Sequence, residues 1–158
     1  MKPHPVCTFF RALGHSLRGR LRFPKTLCGR VLGMENGDTF TIFRQATIKT
    51  ASHSPAGPGA VFRIRFRFKR GSTGLNRRLS LIPTPFIVGF PGFRTKLWTI
   101  DEDSGTFQGI YEWDSAQSAA DYAGSLAIRM MKKRAVPDSV DQEIIPKTGV
   151  AEYLSSLM

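Results

Sequence analysis

Along residues 61–68, phenylalanine or isoleucine stands at every even position and arginine at three of the four odd positions. Because successive side chains of a β-strand point to opposite faces, this pattern predicts a strand with one apolar and one basic face. Two further runs typical of strands, residues 93–100 and 107–113, lie on either side of an acidic, glycine-containing segment at residues 101–106. Together they predict a β-hairpin with its turn at that segment.

The segments around the hairpin have helical spacing instead. Apolar side chains recur at every third or fourth position in residues 72–82, and a second short helical turn is predicted at residues 86–90. A long helix is predicted from residue 115, and Pro137 ends it before a last strand near residues 139–145. This β-α-β-β-α-β order predicts an α+β, ferredoxin-like fold with a four-stranded antiparallel sheet.

Strand alternation assigns the side chains to two faces of this sheet. One face is mainly apolar and is expected to lie beneath the helices; it includes Phe62, Phe66, Thr95, Leu97, Tyr111 and Trp113. The other face is mainly charged; it includes Arg63, Arg65, Lys96, Trp98, Glu112, Asp141 and Glu143. That face either forms a ladder of ion pairs between neighbouring strands or packs against a second copy of the chain. In the second case Arg65, Trp98 and Glu112 are the predicted dimer contacts.

The basic charge is concentrated at the beginning of the chain. The formal net charge of +11 indicates an anionic partner at first sight. However, residues 1–33 hold seven basic residues and no acid, so the predicted core is only mildly basic. We therefore do not expect nucleic acid as a partner.

Cysteine and histidine are absent from the predicted core. Cys7 and Cys28 lie in the basic leader, and the three histidines, His4, His15 and His53, also precede the first core strand. The core thus lacks the usual residues for a metal site or for a Cys/His nucleophile. We predict no bound metal and no cofactor.

Four segments are predicted from these patterns. Residues 1–33 form a basic leader that is expected to be disordered, and residues 34–60 form an N-terminal arm and a linker rich in proline, glycine and serine. Residues 61–146 form the ferredoxin-like domain, and residues 147–158 form a C-terminal tail. No run reaches the roughly 18–20 apolar residues that span a bilayer, and we predict a cytoplasmic location.

Several interpretations of the leader remain open. Its apolar residues recur at helical spacing among arginines, so a short amphipathic basic helix is possible; they are Phe9, Phe10, Leu13, Leu17 and Leu21. Such a helix could be a targeting presequence or a membrane-surface segment, and the leader could equally be a frayed tail or precede a natural start at Met34. We favour the last two interpretations, which predict that residues 1–33 are dispensable for folding.

The hairpin GFRTKLWTIDEDSGTFQGIYEW at residues 92–113 and the following SAQSAADYAGSLAIRMM at residues 115–131 carry a resemblance to a known group. The chain resembles the dimeric α+β barrel superfamily, and within it the small YdhR-like monooxygenases related to the antibiotic-biosynthesis monooxygenases. The resemblance covers residues 61–146, and GIYEW at residues 109–113 is its most specific part.

This resemblance implies a homodimer and a cofactor-free oxidation of a small aromatic or phenolic substrate in a cavity between sheet and helices. Haem-degrading relatives use a histidine, which this core lacks, so haem is not expected. Quinone-forming relatives use an Asn, Trp and Tyr cluster, for which the nearest equivalents here are the predicted catalytic residues Asn76, Trp113 and Tyr111. The predicted substrate-binding residues are Phe66, Thr95 and Tyr122.

Other functions fit the same pattern of elements. An RNA-recognition module has the same topology, but strand alternation places Phe107, Tyr111 and Trp113 on the core face rather than on an outer, base-stacking face. A non-catalytic dimer that binds a small apolar ligand, or assists another enzyme, would use the same cavity without turnover. In that case Tyr111 and Trp113 are core aromatics and Asn76 is a residue on the helix surface. The sequence does not decide between an enzyme and such a binding protein.

Overall fold

The predicted ferredoxin-like unit forms the centre of a computed structural model, which describes residues 3–49 and 53–158. Residues 50–52 of the predicted arm and linker and residues 1–2 of the leader lie outside these ranges. The helices are α1 Pro5–Leu17, α2 Thr73–Leu79, α3 Thr84–Val88, α4 Ala116–Ala123, α5 Leu126–Arg134 and α6 Val150–Ser155. The strands are β1 Leu21–Arg22, β2 Val31–Gly33, β3 Thr39–Ile48, β4 Ala60–Phe66, β5 Phe93–Asp101, β6 Thr106–Trp113 and β7 Asp141–Pro146.

The α+β ferredoxin-like fold is confirmed, with a larger sheet than predicted. Within the described ranges the antiparallel sheet has seven strands. Six of them follow the order β1-β3-β5-β6-β4-β7, and the seventh, β2, pairs with β3 at the edge away from β5. β4 lies between β6 and β7. The additional strands come from residues before the core: β3 pairs with the edge of β5, which would otherwise present unpaired backbone groups.

A β-bulge at Arg94 changes which side chains of β5 face the helices. Phe93 pairs with Trp113 and Thr95 pairs with Glu112, so Arg94 is an extra residue in β5. After the bulge the even-numbered residues of β5 lie on the same face as Tyr111; Lys96 pairs with Tyr111, Trp98 with Gly109 and Ile100 with Phe107. The predicted assignment of faces was therefore wrong for residues 95–100.

Apolar side chains cover both faces of the sheet. On the face of α1, α3, α4 and α5 they form one core cluster, which includes Ala46, Phe62, Ile64, Phe90, Trp98, Tyr111, Trp113 and Tyr122. On the second face they form another, which includes Leu32, Met34, Phe40, Val61, Leu97, Ile110, Val150 and Leu154. The face predicted to be mainly charged is thus covered by β2 and α6 of the same chain.

The leader, predicted to be disordered, is ordered in the structure. Helix α1 packs against α3, with Thr8 and Ala12 buried. Leu32 of β2 is fully buried in the second core cluster. The leader lacks a core pattern of its own, and it is held in place by docking onto the rest of the protein. Local propensity alone does not stabilise such short elements, but burial of a few apolar residues does.

The last third of the chain also differs from the prediction. The long helix is divided into α4 and α5 where Ser125 caps α5, its Oγ accepting a hydrogen bond from the Ile128 N–H at 3.4 Å. The new start rotates the second half, so Ile128 is buried while Leu126 and Met130 are exposed. Within the predicted tail, α6 buries Val150 and Leu154. In the described ranges, no helix combines the length and apolarity needed to cross a membrane.

The packing of α1 onto α3 depends on a glycine. A Cβ at Gly89 would collide with the carbonyl oxygen of Thr8 and lie 2.9 Å from the Ala12 nitrogen. Gly89→Ala should therefore displace α1 and lower the free energy of unfolding by about 1–3 kcal/mol in urea titrations. The control is Gly14→Ala within α1, where a Cβ meets no atom within 4 Å and should stabilise the helix by about 0.5–1 kcal/mol. Equal stability of Gly89→Ala and the parent protein would contradict this packing.

Candidate functional site

A cavity of about 590 Å³ lies between the helices and the sheet face that carries Tyr111. This volume is in the range of small-molecule sites. Its sheet side is formed by Phe66, Lys96, Trp98, Phe107, Gly109 and Tyr111, and its helix side by residues of α1 to α5 that include Asn76, Phe86, Ile87, Tyr122, Ile128 and Met131. Most of this lining is aromatic or aliphatic, so the cavity fits the ring system of an apolar ligand.

Lys96 is the most unusual side chain of the lining. It is only 5% exposed, and its Nζ lies 4.2 Å from the ring centroid of Trp98 and 4.5 Å from that of Tyr111. Among the described residues, no carboxylate or other acceptor pairs with this amine. Burial therefore lowers the pKa of Lys96 well below its ordinary value of 10.5, and repulsion from Arg44 lowers it further.

This burial predicts that Lys96 reduces the stability of the protein. Lys96→Met replaces an unpaired amine by an apolar side chain of similar length, and should raise the free energy of unfolding by about 1–2 kcal/mol. Because the folded-state pKa of Lys96 lies below the unfolded value, the gain is largest at pH values below the folded-state pKa and shrinks as the pH rises toward 10.5.

The measurement is urea unfolding at mildly acidic and at alkaline pH. The control variant is Arg78→Met, which removes one positive charge from an exposed position of α2. A Lys96→Met protein that is less stable than the parent protein at acidic pH would show that the amine has a stabilising partner.

Tyr111 lies beside Lys96, and a second tyrosine, Tyr122, lies beside Tyr111. The ring centroids of Tyr111 and Tyr122 are 5.1 Å apart, and both rings are buried. Burial raises the pKa of Tyr111 and of Tyr122, and the proximity of the two hydroxyl groups raises that of Tyr122 further. Both phenols are thus neutral over the physiological range. Their hydroxyl groups are hydrogen-bonded to each other, so one O–H of the pair is left to donate to an oxygen in the cavity.

The position of Tyr111 depends on Gly109. A Cβ at Gly109 would lie 2.6 Å from Cε2 of Tyr111, because the tyrosine ring lies over the glycine two residues earlier in β6. The predicted importance of GIYEW therefore has a physical reason. The glycine leaves room for the ring, and the ring forms part of the cavity wall.

Four of the predicted site residues line the cavity, and two do not. Phe66, Asn76, Tyr111 and Tyr122 belong to the lining. Asn76 is buried, not on the helix surface, and its Nδ2 donates to the Arg70 carbonyl oxygen at 3.1 Å, so it also holds the loop before α2.

Trp113 and Thr95 lie elsewhere. Trp113 is fully buried in the core against Phe90 and Phe93, and its Nε1 has no hydrogen-bond partner among the described residues. Thr95 is on the second face, where its hydroxyl oxygen lies 3.1 Å from that of Thr47. The assignment of Thr95 to the substrate pocket fails because of the bulge at Arg94.

The predicted dimer contacts are also separated. Trp98 lies in the cavity, on the face opposite to the other two. Arg65 donates from Nε to Oε1 of Gln108 at 2.6 Å, and a Glu112 carboxylate oxygen accepts a hydrogen bond from the Val150 N–H at 2.8 Å. Both side chains thus have partners within their own chain.

The alternative of a charge ladder is confirmed at one position of this face. Arg63 in β4 bonds Asp141 at 2.8 Å and Glu143 at 3.1 Å, both in β7. The arginine is buried while the two carboxylates are exposed, so these ion pairs lie where the second face meets solvent, at the edge strand β7.

Lys96 and Trp98 are cavity residues that strand alternation had assigned to the opposite face of the sheet. One signal was present: Phe93 and Trp98 are large aromatic residues of opposite parity in the same strand. Both can face the core only if the strand contains a bulge between them. In the described part of the chain, no group of three or more histidine, cysteine or acidic side chains is placed to hold a metal ion.

Comparisons with known proteins agree with this fold. The sequence matches the family described as "Putative mono-oxygenase ydhR" over residues 62–144, more than half of the 158 residues. No curated protein matches the sequence.

The solved structures that this chain resembles have low sequence identity to it. An uncharacterized ferredoxin fold protein related to antibiotic biosynthesis monooxygenases, from Listeria monocytogenes, has a TM-score of 0.49 and 16% identity. That comparison covers 68% of this chain and 63% of the other, so the chain spans less than two thirds of that protein.

Two others have slightly higher TM-scores. A heme-degrading enzyme from Listeria monocytogenes has a TM-score of 0.51 and 15% identity, over 75% of this chain and 83% of that one. A monooxygenase-like protein from Listeria innocua has a TM-score of 0.51 and 14% identity, over 73% and 69%. The last two likenesses show a common fold, and the match over residues 62–144 shows the family. The chain belongs to the ydhR mono-oxygenase family.

Proposed function

We propose that the protein is a cofactor-independent monooxygenase that acts on a small aromatic or phenolic substrate in the cavity. The observation that carries this proposal is the lining itself: aromatic walls surround a buried amine and two neutral phenols. Membership of a mono-oxygenase family supports the reaction class. Cofactor independence is part of the proposal, because an electron-rich substrate anion can itself react with oxygen.

The proposed reaction oxidises a ring methylene that is activated by a neighbouring phenol or ketone. Loss of a proton gives an electron-rich anion, which transfers electrons to O₂ and then bonds to one of its oxygen atoms. Loss of water leaves a carbonyl group, so a methylene and O₂ become a carbonyl and H₂O. Trp98 and Phe66 provide surfaces for stacking the ring, and the hydroxyl of Tyr111 stabilises the developing oxyanion.

Oxygen uptake tests this proposal directly. The purified protein should consume O₂ with electron-rich polycyclic phenols or their keto tautomers, in the presence of a metal chelator and without an added flavin. With ¹⁸O₂, one labelled atom should appear in the product. Failure to consume oxygen with any member of a broad panel of such compounds would refute the enzymatic function.

The second candidate is a non-catalytic protein that binds an aromatic ligand in the same cavity. It is favoured by the volume and the apolar lining, which serve binding as well as turnover. Saturable binding of an aromatic compound without oxygen uptake would identify this function. Haem degradation is not proposed, because none of the three histidines belongs to the cavity lining.

A homodimer is also proposed, since the family resemblance implies one. Sedimentation velocity at micromolar concentration should show a species with twice the 17.6 kDa mass of the chain. A monomer alone would refute the proposal. Charge reversal of Arg65 or Glu112 is a poor test of assembly, because their partners within the chain make both residues part of the fold. The predicted cytoplasmic location belongs to the same proposal and can be tested by cell fractionation.

A further inference from the structure

We propose that Lys96 is the anion receptor of the cavity and that its ligand is a flat aromatic molecule with one acidic oxygen, bound as an anion against Nζ. The inference rests on the proposed function for the class of substrate. It names the group that selects the charged form of that substrate. It also predicts which ligands the cavity prefers when no reaction takes place.

The first observation is the unpaired amine. Nζ of Lys96 is surrounded by the rings of Trp98 and Tyr111, at 4.2 and 4.5 Å from their centroids. Ring faces attract a cation, but they replace only part of the hydration that burial removes. A buried ammonium group is normally paired with an anion, and the described part of the chain supplies none here. An anionic oxygen of a ligand would complete the pair.

The second observation is the sign of the other charges at the cavity. Arg129 and Arg134 of α5 also belong to the lining, and no aspartate or glutamate does among the described residues. Arg44 contacts the ring of Trp98 and repels Lys96. It is held in place because its guanidinium donates to the Ser80 hydroxyl at 2.6 Å and to the Arg77 carbonyl oxygen at 3.2 Å. An anion that enters the cavity therefore meets only positive charges.

The third observation is the shape of the surroundings of Nζ. The rings of Trp98 and Tyr111 flank the amine, and Phe66 and Phe107 extend the aromatic wall. A planar ring can stack on this wall while its substituent oxygen points toward Nζ. The neutral hydroxyl groups of Tyr111 and Tyr122 are hydrogen-bonded to each other, which leaves one O–H of the pair to donate to a ligand oxygen in the cavity.

A proton transfer follows from this arrangement when a neutral acid enters. If the amine is uncharged, the O–H bond of the ligand breaks and an N–H bond forms on Lys96. The products are an ammonium group and an oxyanion in contact. The proton stays in the cavity, and no other reactant is needed.

Two dyes that differ by a single anionic group test the proposal. N-phenyl-1-naphthylamine is neutral, and 8-anilino-1-naphthalenesulfonate has the same ring system with a sulfonate added. Fluorescence titration should show tighter binding of the sulfonate to the parent protein. Lys96→Met should weaken binding of the sulfonate dye by at least about tenfold and leave binding of the neutral dye unchanged. Lys96→Arg should retain the preference for the sulfonate dye. Arg78→Met, with the same loss of net charge outside the lining, should bind both dyes like the parent protein.

The outcomes separate this inference from the proposed function. If the Lys96→Met variant binds neither dye but has the circular dichroism spectrum of a folded protein, the lysine only shapes the cavity and the inference is overturned. An unchanged preference for the sulfonate in that variant, or no binding of either dye to the parent protein, would overturn it as well. Should Lys96→Met fail to fold, Lys96→Gln provides the same comparison. Selective loss of the sulfonate in a protein that consumes no oxygen with any phenol would support the inference and refute the monooxygenase.

Discussion

A protein that begins at Met34 is expected to be less stable than the full chain by at least about 4 kcal/mol, and to lose cooperative unfolding. The leader that this truncation removes supplies the fully buried Leu32, and α1 covers part of the core through Thr8 and Ala12. Burial of one leucine side chain contributes about 1.5–3 kcal/mol, and removal of α1 also exposes the residues of α3 beneath it. These contacts predict that residues 1–33 contribute to stability, contrary to the expectation from the sequence that they are dispensable.

Urea unfolding followed by circular dichroism measures this effect. A matched truncation that begins at residue 20 removes α1 but keeps β1 and β2, and should lose a smaller part of the stability. If the protein that begins at Met34 unfolds with the same midpoint and slope as the full chain, the docking of the leader contributes nothing to the fold.

Tyr111→Phe is expected to lower kcat on a phenolic substrate by about 10²–10³, because loss of one donor to a developing oxyanion typically has an effect of this size. The ring remains, so the packing against Trp113 and Tyr122 and the wall of the cavity should be preserved. KM should change little, since the hydroxyl is proposed to act mainly on the charge that develops during the reaction.

The matched control is Trp113→Phe, an aromatic substitution in the same strand. Trp113 lies outside the cavity lining and its Nε1 has no described partner, so this variant should keep kcat close to that of the parent protein. Steady-state oxygen uptake by the two variants gives the comparison. Equal losses of activity in Tyr111→Phe and Trp113→Phe would show that the effect comes from a disturbed core. Full activity of Tyr111→Phe would show that its hydroxyl has no role in the reaction.

The order of the core elements was predictable because each element is encoded locally. Alternation predicts β4, and the turn between β5 and β6 has its own chemistry: Asp101 accepts hydrogen bonds from the Asp103 N–H and the Ser104 hydroxyl, and Gly105 adopts a positive φ of 69°. The charge pairing of Arg63 with β7 follows from the same alternation once the strand order is known. Residues 62–144 therefore contain the family's recognisable pattern.

The face of β5 that lines the cavity was not predictable by counting positions. Side-chain direction has a period of two, so one extra residue at Arg94 exchanges the faces of every residue after it. Thr95 therefore lies on the second face instead of in the predicted pocket, and Lys96 and Trp98 line the cavity instead. By alternation alone, both side chains fall on the mainly charged face, and Trp98 is a predicted dimer contact there.

By itself, the sequence determined the strands of the core, their order and the family, because these depend on patterns that repeat within a few residues. The tertiary structure alone decided that the leader, β3 and α6 are part of the fold, since short segments gain stability only from the surfaces on which they dock. It also decided that a lysine lies among aromatic rings without an acidic partner in the described chain. That placement depends on a bulge, a strand pairing and a glycine that makes room for a ring, and these are contacts between residues rather than properties of any one segment.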